Sequence, residues 1–297
     1  TPSEADAASH FLRPKVKLSS ISQNVRQQLA HEYTLSLILG TRGLIRPLPR
    51  NLIPIPRSGA TARGPAANVQ GMAVSTSSSA SSAVSVIRSD VDRELSSFCA
   101  SHRERLLEIG EELAPAMDSL EVMVSAGKRL RPTFAYWGWR GAGGADRDDR
   151  MVRAAASLEF LQACALVHDD VIDNSDTRRG RPATHRRMAA LHADHGWNGD
   201  SDGFGEGAAI LIGDLCLAWS DEMYQASGFS PDTLQAGRRP FDAMRTEVMA
   251  GQYLDTLEQV RGTATREAAL RVMRYKSAKY TVERPLHLGA ALAGRHE

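Results

Sequence analysis

Long apolar runs are missing from this chain of 297 residues. Stretches 35–39 and 208–217 are short or interrupted, well below the roughly 20 residues that span a bilayer, so no integral membrane segment is expected. Net charge is nearly absent too, at +1, which removes any global field that would draw the protein to nucleic acid. Cysteine is scarce: Cys99, Cys164 and Cys216 stand far apart without metal-ligand spacing. They read as reduced thiols inside helices, in a cytoplasmic compartment. His185, His192 and His195 lie near one loop, but no Cys or carboxylate completes a tetrahedral zinc set, so a packing role is expected for them. No convincing alternation of apolar and polar residues occurs anywhere. The fold class read from the pattern is therefore all-α, with long helices around a shared interior.

Acids are missing from 33 to 89, where Arg, Pro, Ser and Ala dominate. Pro47, Pro49, Pro54 and Pro56 break any helix, and 75–82 is a serine-rich run of low complexity. Residues 1–88 are expected to form a disordered extension, within which Met72 is a candidate start, and 89–297 the folded domain. The N-terminus carries Glu4 and Asp6 and no apolar block, unlike a secretory signal. Val91, Leu95, Phe98, Leu106, Ile109 and Leu113 mark a first amphipathic helix capped at Asp90. A glycine-rich turn is expected at 141–144, a helix from about Asp148 into an acidic motif, and a glycine-rich loop over 192–207. Further helices read over 208–226, 231–259 with an interruption at Pro240, and 265–293.

The most informative stretch is 158–181. Leu158, Leu161, Ala165 and Ile172 keep a helical spacing, and the helix ends in charge. Asp169 and Asp173, four residues apart, project from one face, with Asp170 about 100° round. Two like charges so close call for a hard cation with oxygen ligands, and Mg²⁺ favours one or two carboxylates completed by water and phosphate. Arg178 and Arg179 follow, with forked donors that match phosphate geometry. A second cationic cluster, Lys128, Arg129 and Arg131, sits at a glycine-led turn. The pattern implies two diphosphate sites, one organised by metal and one by cations alone.

These segments carry a resemblance. Gly-Lys-Arg-Leu-Arg-Pro at 127–132, His-Asp-Asp-Val-Ile-Asp at 168–173 with Arg-Arg-Gly at 178–180, Gly-Gln-Tyr-Leu-Asp at 251–255 and Tyr-Lys-Ser-Ala at 275–278 resemble the trans-isoprenyl diphosphate synthases. This is the polyprenyl synthetase family, and the actinobacterial geranylgeranyl and farnesyl type in particular. The resemblance implies an isoprenoid-synthase helical bundle around a central cavity, a homodimer, and Mg²⁺-dependent head-to-tail transfer of an allylic diphosphate onto isopentenyl diphosphate. Asp169, Asp170 and Asp173 would hold the metal. Arg178, Lys276 and Ser277 would meet the allylic diphosphate, while Lys128, Arg131 and Arg179 would bind isopentenyl diphosphate. Gln162 stands where the family commonly has a histidine that contacts isopentenyl diphosphate. Gln252 and Asp255 would face the cavity or the helix surface.

Product length follows from bulk one turn before the acidic motif. Cys164 and Ala165 are small there and Phe160 lies a turn further, which favours geranylgeranyl diphosphate or longer. The family also carries a second aspartate-rich motif on a later helix, and none occurs before Glu297. The domain is thus expected to be incomplete at its C-terminus, or else a truncated catalyst. A non-catalytic partner subunit of a prenyl synthase and a class I terpene cyclase remain alternatives. The cyclase would have no need of Lys128 and Arg131.

Overall fold

The computed structural model describes residues 75–262 and 265–295, with side chains from residue 84. Residues 1–74, and with them Met72 and most of the expected extension, lie outside the described residues. Nine α-helices are described: α1 (Ser75–Ile109), α2 (Ala114–Ser125), α3 (Leu130–Gly141), α4 (Asp149–Ile172), α5 (Thr184–Asp194), α6 (Ser201–Gln225), α7 (Pro231–Arg261), α8 (Arg266–Val272) and α9 (Arg284–Leu292). A π-helical segment, Met273–Glu283, joins α8 to α9, and a two-residue ribbon pairs β1 (Thr177–Arg178) with β2 (Arg181–Pro182).

The sequence dictates which helix is central. Along α4, Met151, Ala154, Ala155, Ala156, Leu158, Phe160, Leu161, Ala163, Cys164 and Val167 are all buried, and a helix apolar on nearly every side belongs in the interior. Phe160, Ala163, Cys164 and Val167 join one core with Ile87, Val91 and Leu95 of α1, Leu120 of α2, and Ile212 and Trp219 of α6. Leu158 and Leu161 join a second core with Tyr224, Phe241, Met244, Tyr280 and Leu288. Each of these large side chains contributes about 1.5–3 kcal/mol of transfer free energy on full burial. The three cysteines are free and buried, on α1, α4 and α6.

Several local expectations are corrected. The 88/89 boundary falls inside α1, whose helix already includes the serine-rich run. Asp90 is therefore an interior helical residue that accepts from Arg93 rather than a cap. Ile109, at the end of α1, is 77% exposed and outside the core. The expected loop over 192–207 shrinks to a short link. Asp200 accepts from the amides of Asp202 and Gly203 and starts α6 at Ser201, and Gly205 lies where a Cβ would strike the His185 carbonyl. Residues 184–194 form α5 instead. Pro240 does not interrupt α7, which runs continuously from Pro231 to Arg261.

Close helix crossings depend on missing side chains. A Cβ at Gly138 would stand 2.1 Å from the Leu286 carbonyl oxygen, and one at Gly289 1.8 Å from that of Ala135, so α3 and α9 touch backbone to backbone. Gly289→Ala is expected to separate them and destabilise the fold by about 1–3 kcal/mol or more, seen as a lowered Tm.

Glu247 of α7 ties the helical hairpin at its far end. It accepts from Arg284 Nε at 2.8 Å and Lys279 Nζ at 2.8 Å. The Arg284 bond above all, with Lys279 and against the effect of burial, holds its carboxyl down from 4.5 to about 2. A folded value below the unfolded one means that this stabilisation is full above pH 4.5 and fades as pH falls towards 2. Glu247→Gln is expected to lower Tm at neutral pH and flatten its acid decline in that window.

Candidate active site

The end of α4 brings the charged residues together. Asp173 is the C-cap, its amide donating to the Asp169 carbonyl at 2.8 Å. Asn174, at φ 49°, then turns the chain back, and the Ser175 amide returns to the Asp170 carbonyl at 2.9 Å. The ribbon follows. Its two central residues, Arg179 and Gly180, have φ of 55° and 76°, as a two-residue type I′ turn requires, and the register pairs Arg178 with Arg181. The Arg-Arg-Gly triplet is thus a hairpin tip that sends its two arginines to different places.

Arg178 folds back onto α4. Its Nε lies 2.9 and 3.1 Å from the two oxygens of Asp170, and its Nη2 is 3.3 Å from Asp169 Oδ2. Asp170 is fully buried. Burial pushes its carboxyl up, and the forked Arg178 pulls the other way. On the opposite side of Asp169, Lys276 Nζ lies 2.9 Å from Asp169 Oδ1 and 2.9 Å from Asp255 Oδ2. Burial alone would lower the ammonium of Lys276, but Asp169 and Asp255 together raise it, so it stays charged. Asp173 is pushed up by burial and by Asp169 beside it. The result is an alternating series, Asp255, Lys276, Asp169, Arg178, Asp170, spanning α7, the π segment, α4 and β1.

The backbone places Lys276 there through Gly251, where a Cβ would stand 2.5 Å from the Lys276 amide nitrogen. Gly213 does the same for α6, whose close approach lets Ile210 accept from His168 Nε2 at 3.1 Å. Cys164 Sγ is 3.7 Å from His168 Nδ1 on the same face of α4.

A divalent cation, which the family resemblance implies, fits this donor set. Asp169 and Asp173 offer hard oxygen ligands, and a cationic group, the Lys276 ammonium, is already held against Asp169. Among the described residues no three or more His, Cys, Asp or Glu side chains are grouped to hold an ion by themselves. The Asp170 carboxylate is held by Arg178 inside the protein.

Cationic residues form the second cluster. Arg179 Nη1 donates to the carbonyls of Ala126 and Met123 at the C-terminal end of α2. A cavity of about 190 Å³ opens beside it, lined by Arg178, Arg179, Arg181, Arg187, Thr184 and Ala126 among others. Lys128 is exposed in the adjoining turn. Arg131, expected to bind isopentenyl diphosphate, stands in the first turn of α3. Its guanidinium lies 4.1 Å over the Tyr280 ring and donates to Thr281 Oγ1 at 3.0 Å, leaving Nε buried without a partner. Gln162 Oε1 and Gln252 Nε2 are likewise buried and unpartnered, and Ser277 is half-buried beside Lys276.

Three features escaped sequence reasoning. Arg129, read only as part of a basic cluster, is buried, takes φ 52° at the start of α3, and bonds Glu159 of α4 at 2.7 Å and Asp92 of α1 at 2.7 Å. Arg181 and Arg187 line the cavity, and no spacing announced them. Asp255, left between cavity and surface, is buried against Lys276; its position one turn after Gly251 was the available signal. His192 and His195 pack with Trp197, and His192 also with Phe204, while His185 is buried near Asp170, its protonated form disfavoured chiefly by burial.

An α-helical bundle with a metal-type acidic face and an arginine-lined cavity at one end defines a protein built to handle anions of the diphosphate kind. Residues 115–297 match the family model described as Polyprenyl synthetase, well over half of the chain, and the chain belongs to that family. Among its relatives, a geranylfarnesyl diphosphate synthase of Aeropyrum pernix is 28% identical over 59% of this chain and 51% of that protein. A geranylgeranyl diphosphate synthase of Methanosarcina mazei is 28% identical over 57% and 46%. The chain spans about half the length of the curated relatives it matches. A geranylgeranyl pyrophosphate synthase from Corynebacterium glutamicum, solved with isoprenyl diphosphate and magnesium, superposes with a TM-score of 0.67 at 40% identity, over 72% of this chain and 60% of that one. A farnesyl diphosphate synthase of T. brucei, at 22% identity and a TM-score of 0.55, shows the fold alone.

Because Arg178 alone neutralises the interior side of Asp170, Arg178→Met is expected to cost about 3–5 kcal/mol in denaturant unfolding. Adding Asp170→Asn should recover much of that loss.

Proposed function

We propose that the chain carries the prenyl-transfer half-site of a Mg²⁺-dependent trans-prenyl diphosphate synthase, which joins isopentenyl diphosphate head to tail to an allylic diphosphate. The observation that carries this reading is the meeting, at the end of α4, of an acidic face bearing Lys276 with a cavity ringed by arginines. One diphosphate is suited to Asp169, Asp173, Lys276 and Ser277. The other is suited to Lys128, Arg179 and the arginine-lined cavity.

Mg²⁺ bound by Asp169 and Asp173 would supply charge neutralisation for a departing diphosphate. Lys276 would donate to the same diphosphate, and Asp255 holds the base of that contact. Arg178 keeps Asp169 oriented from the other side. The orphan atoms of Gln162 and Gln252 are donors and acceptors without protein partners, as substrate contacts would leave them. The isopentenyl double bond would then attack the allylic carbon as its C–O bond breaks, the bonding electrons leaving with the diphosphate, which then takes up the proton lost from the new product.

The tail would run along α4. Ala165 and Cys164 place no aromatic in its first turn, and the first aromatic met is Phe160, whose ring lies 5.1 Å from Phe98 and 6.0 Å from Trp219. This favours a geranylgeranyl product. Exposed apolar side chains on α6, Phe204, Ile210 and Leu211, support a homodimer through that helix. Buried free thiols support a reducing, cytoplasmic setting. No helix among the described residues is long and apolar enough to cross a membrane.

Purified full chain with Mg²⁺, isopentenyl diphosphate and farnesyl diphosphate is expected to yield geranylgeranyl diphosphate. Asp169→Ala should reduce the rate by at least about 100-fold, the size typical of losing one electrostatic stabiliser. No product from the parent chain, or equal rates for both, would overturn the reading.

A further inference from the structure

The placement of Lys276 raises a question that the acidic face alone does not answer. Its ammonium touches Asp169, the residue assigned above to a divalent cation, and Arg178 already lies 3.3 Å from the other oxygen of that carboxylate, so a further cation there meets repulsion from both. For the acidic face to load, Lys276 must leave Asp169. An ammonium withdrawn from its partner in a largely enclosed setting is costly unless another anion receives it.

Asp255 is that anion. It lies 2.9 Å from Lys276 Nζ, with a side chain only 5% exposed. It stands on α7 one turn beyond Gly251, and Gly251 is the point at which α7 presses on the backbone of Lys276. The Cα of Lys276 and the carboxylate of Asp255 are thus anchored to one rigid element. Gln252, three residues before Asp255 on the same face of α7, holds an unpartnered amide nitrogen in the same region.

We propose that Asp255 is a positioning residue that controls cation loading of the acidic face: it shares Lys276 with Asp169, and retains the ammonium when a divalent cation takes Asp169 and Asp173. This rests on the reading of Asp169 and Asp173 as a metal and diphosphate site. In this arrangement Lys276 is a built-in competitor of the metal, and Asp255 sets how strongly it competes. Removing Asp255 leaves Asp169 as the sole partner of the ammonium and strengthens the competition. Removing Lys276 abolishes it, and with it the part that Asp255 plays through the ammonium.

The test is Mn²⁺ binding to the full chain without substrate, read by the electron paramagnetic resonance of free Mn²⁺, with circular dichroism to confirm folding. Lys276→Met is expected to tighten Mn²⁺ binding, and Asp255→Asn to weaken it, each by at least about threefold, with the double variant matching Lys276→Met alone. If Lys276→Met does not fold, Lys276→Gln carries the same comparison, since its amide still bonds both carboxylates without a charge. Additive effects in the double variant would mean that Asp255 acts only through its field, and would overturn the proposal while leaving the metal site intact. Unchanged affinity in both single variants would do the same. Parent chain binding Mn²⁺ no better than Asp169→Ala would overturn the assignment of the metal site and this inference together.

Discussion

Burying charge is affordable to a protein only when every charge finds a partner, and this constraint governs the centre of the molecule. Asp170 and Asp255 are withdrawn from water, and Asp169 nearly so. None can be ionised there alone. Arg178 and Lys276 make it possible by sitting between carboxylates, so the five groups stand or fall as a series. Because its members come from α7, the π segment, α4 and the ribbon, the series also fixes how those four elements meet. A second set, buried Arg129 and Glu159 with the exposed Asp92, does the same for α3, α4 and α1.

Glycine supplies the complementary condition. Gly251, Gly213, Gly138 and Gly289 each stand where a Cβ would enter a neighbouring helix or side chain. At these positions the helices approach closely enough for short polar side chains to reach across. Asp255 reaches Lys276 because Gly251 has already brought the two backbones together. The apolar cores on either side of α4 then hold the charged end in register. Packing thus sets the distances that the ion pairs exploit.

Much of this was legible in the sequence. The helical class, the burial of α4 and its charged end follow from spacing alone, since a 3.6-residue period and an apolar stripe are local properties. So does its start near Asp148, whose side chain caps the helix by accepting from the Arg150 amide. What could not be read was which partner each charge would choose. Arg131 and Arg129 lie two residues apart in one basic cluster, yet one stacks on Tyr280 and the other is buried with Glu159, 30 positions away in the chain. Asp169 and Asp170 are neighbours with different fates, because a helix turns 100° per residue: Asp170 points inward and is wholly enclosed, while Asp169 is shared between Arg178 and Lys276. The glycine-rich stretch before α6 misled for a related reason: Gly203 and Gly205 there serve a cap and a close helix contact rather than a loop.

The π segment between α8 and α9 has a wider bearing. Within its first turn the backbone is pinned to α7, where Gly251 meets Tyr275 and Lys276; beyond its end, it is pinned to α3 at Gly289. Two fixed contacts on one helix impose two phases, and an ideal α-helix satisfies both only if the residues between them happen to fit. The wider i to i+5 turns of Met273–Glu283 absorb the mismatch. The segment therefore acts as a vernier. It lets the phase of Lys276, and hence the side of the helix on which charge is presented, be set independently of the packing that closes the bundle.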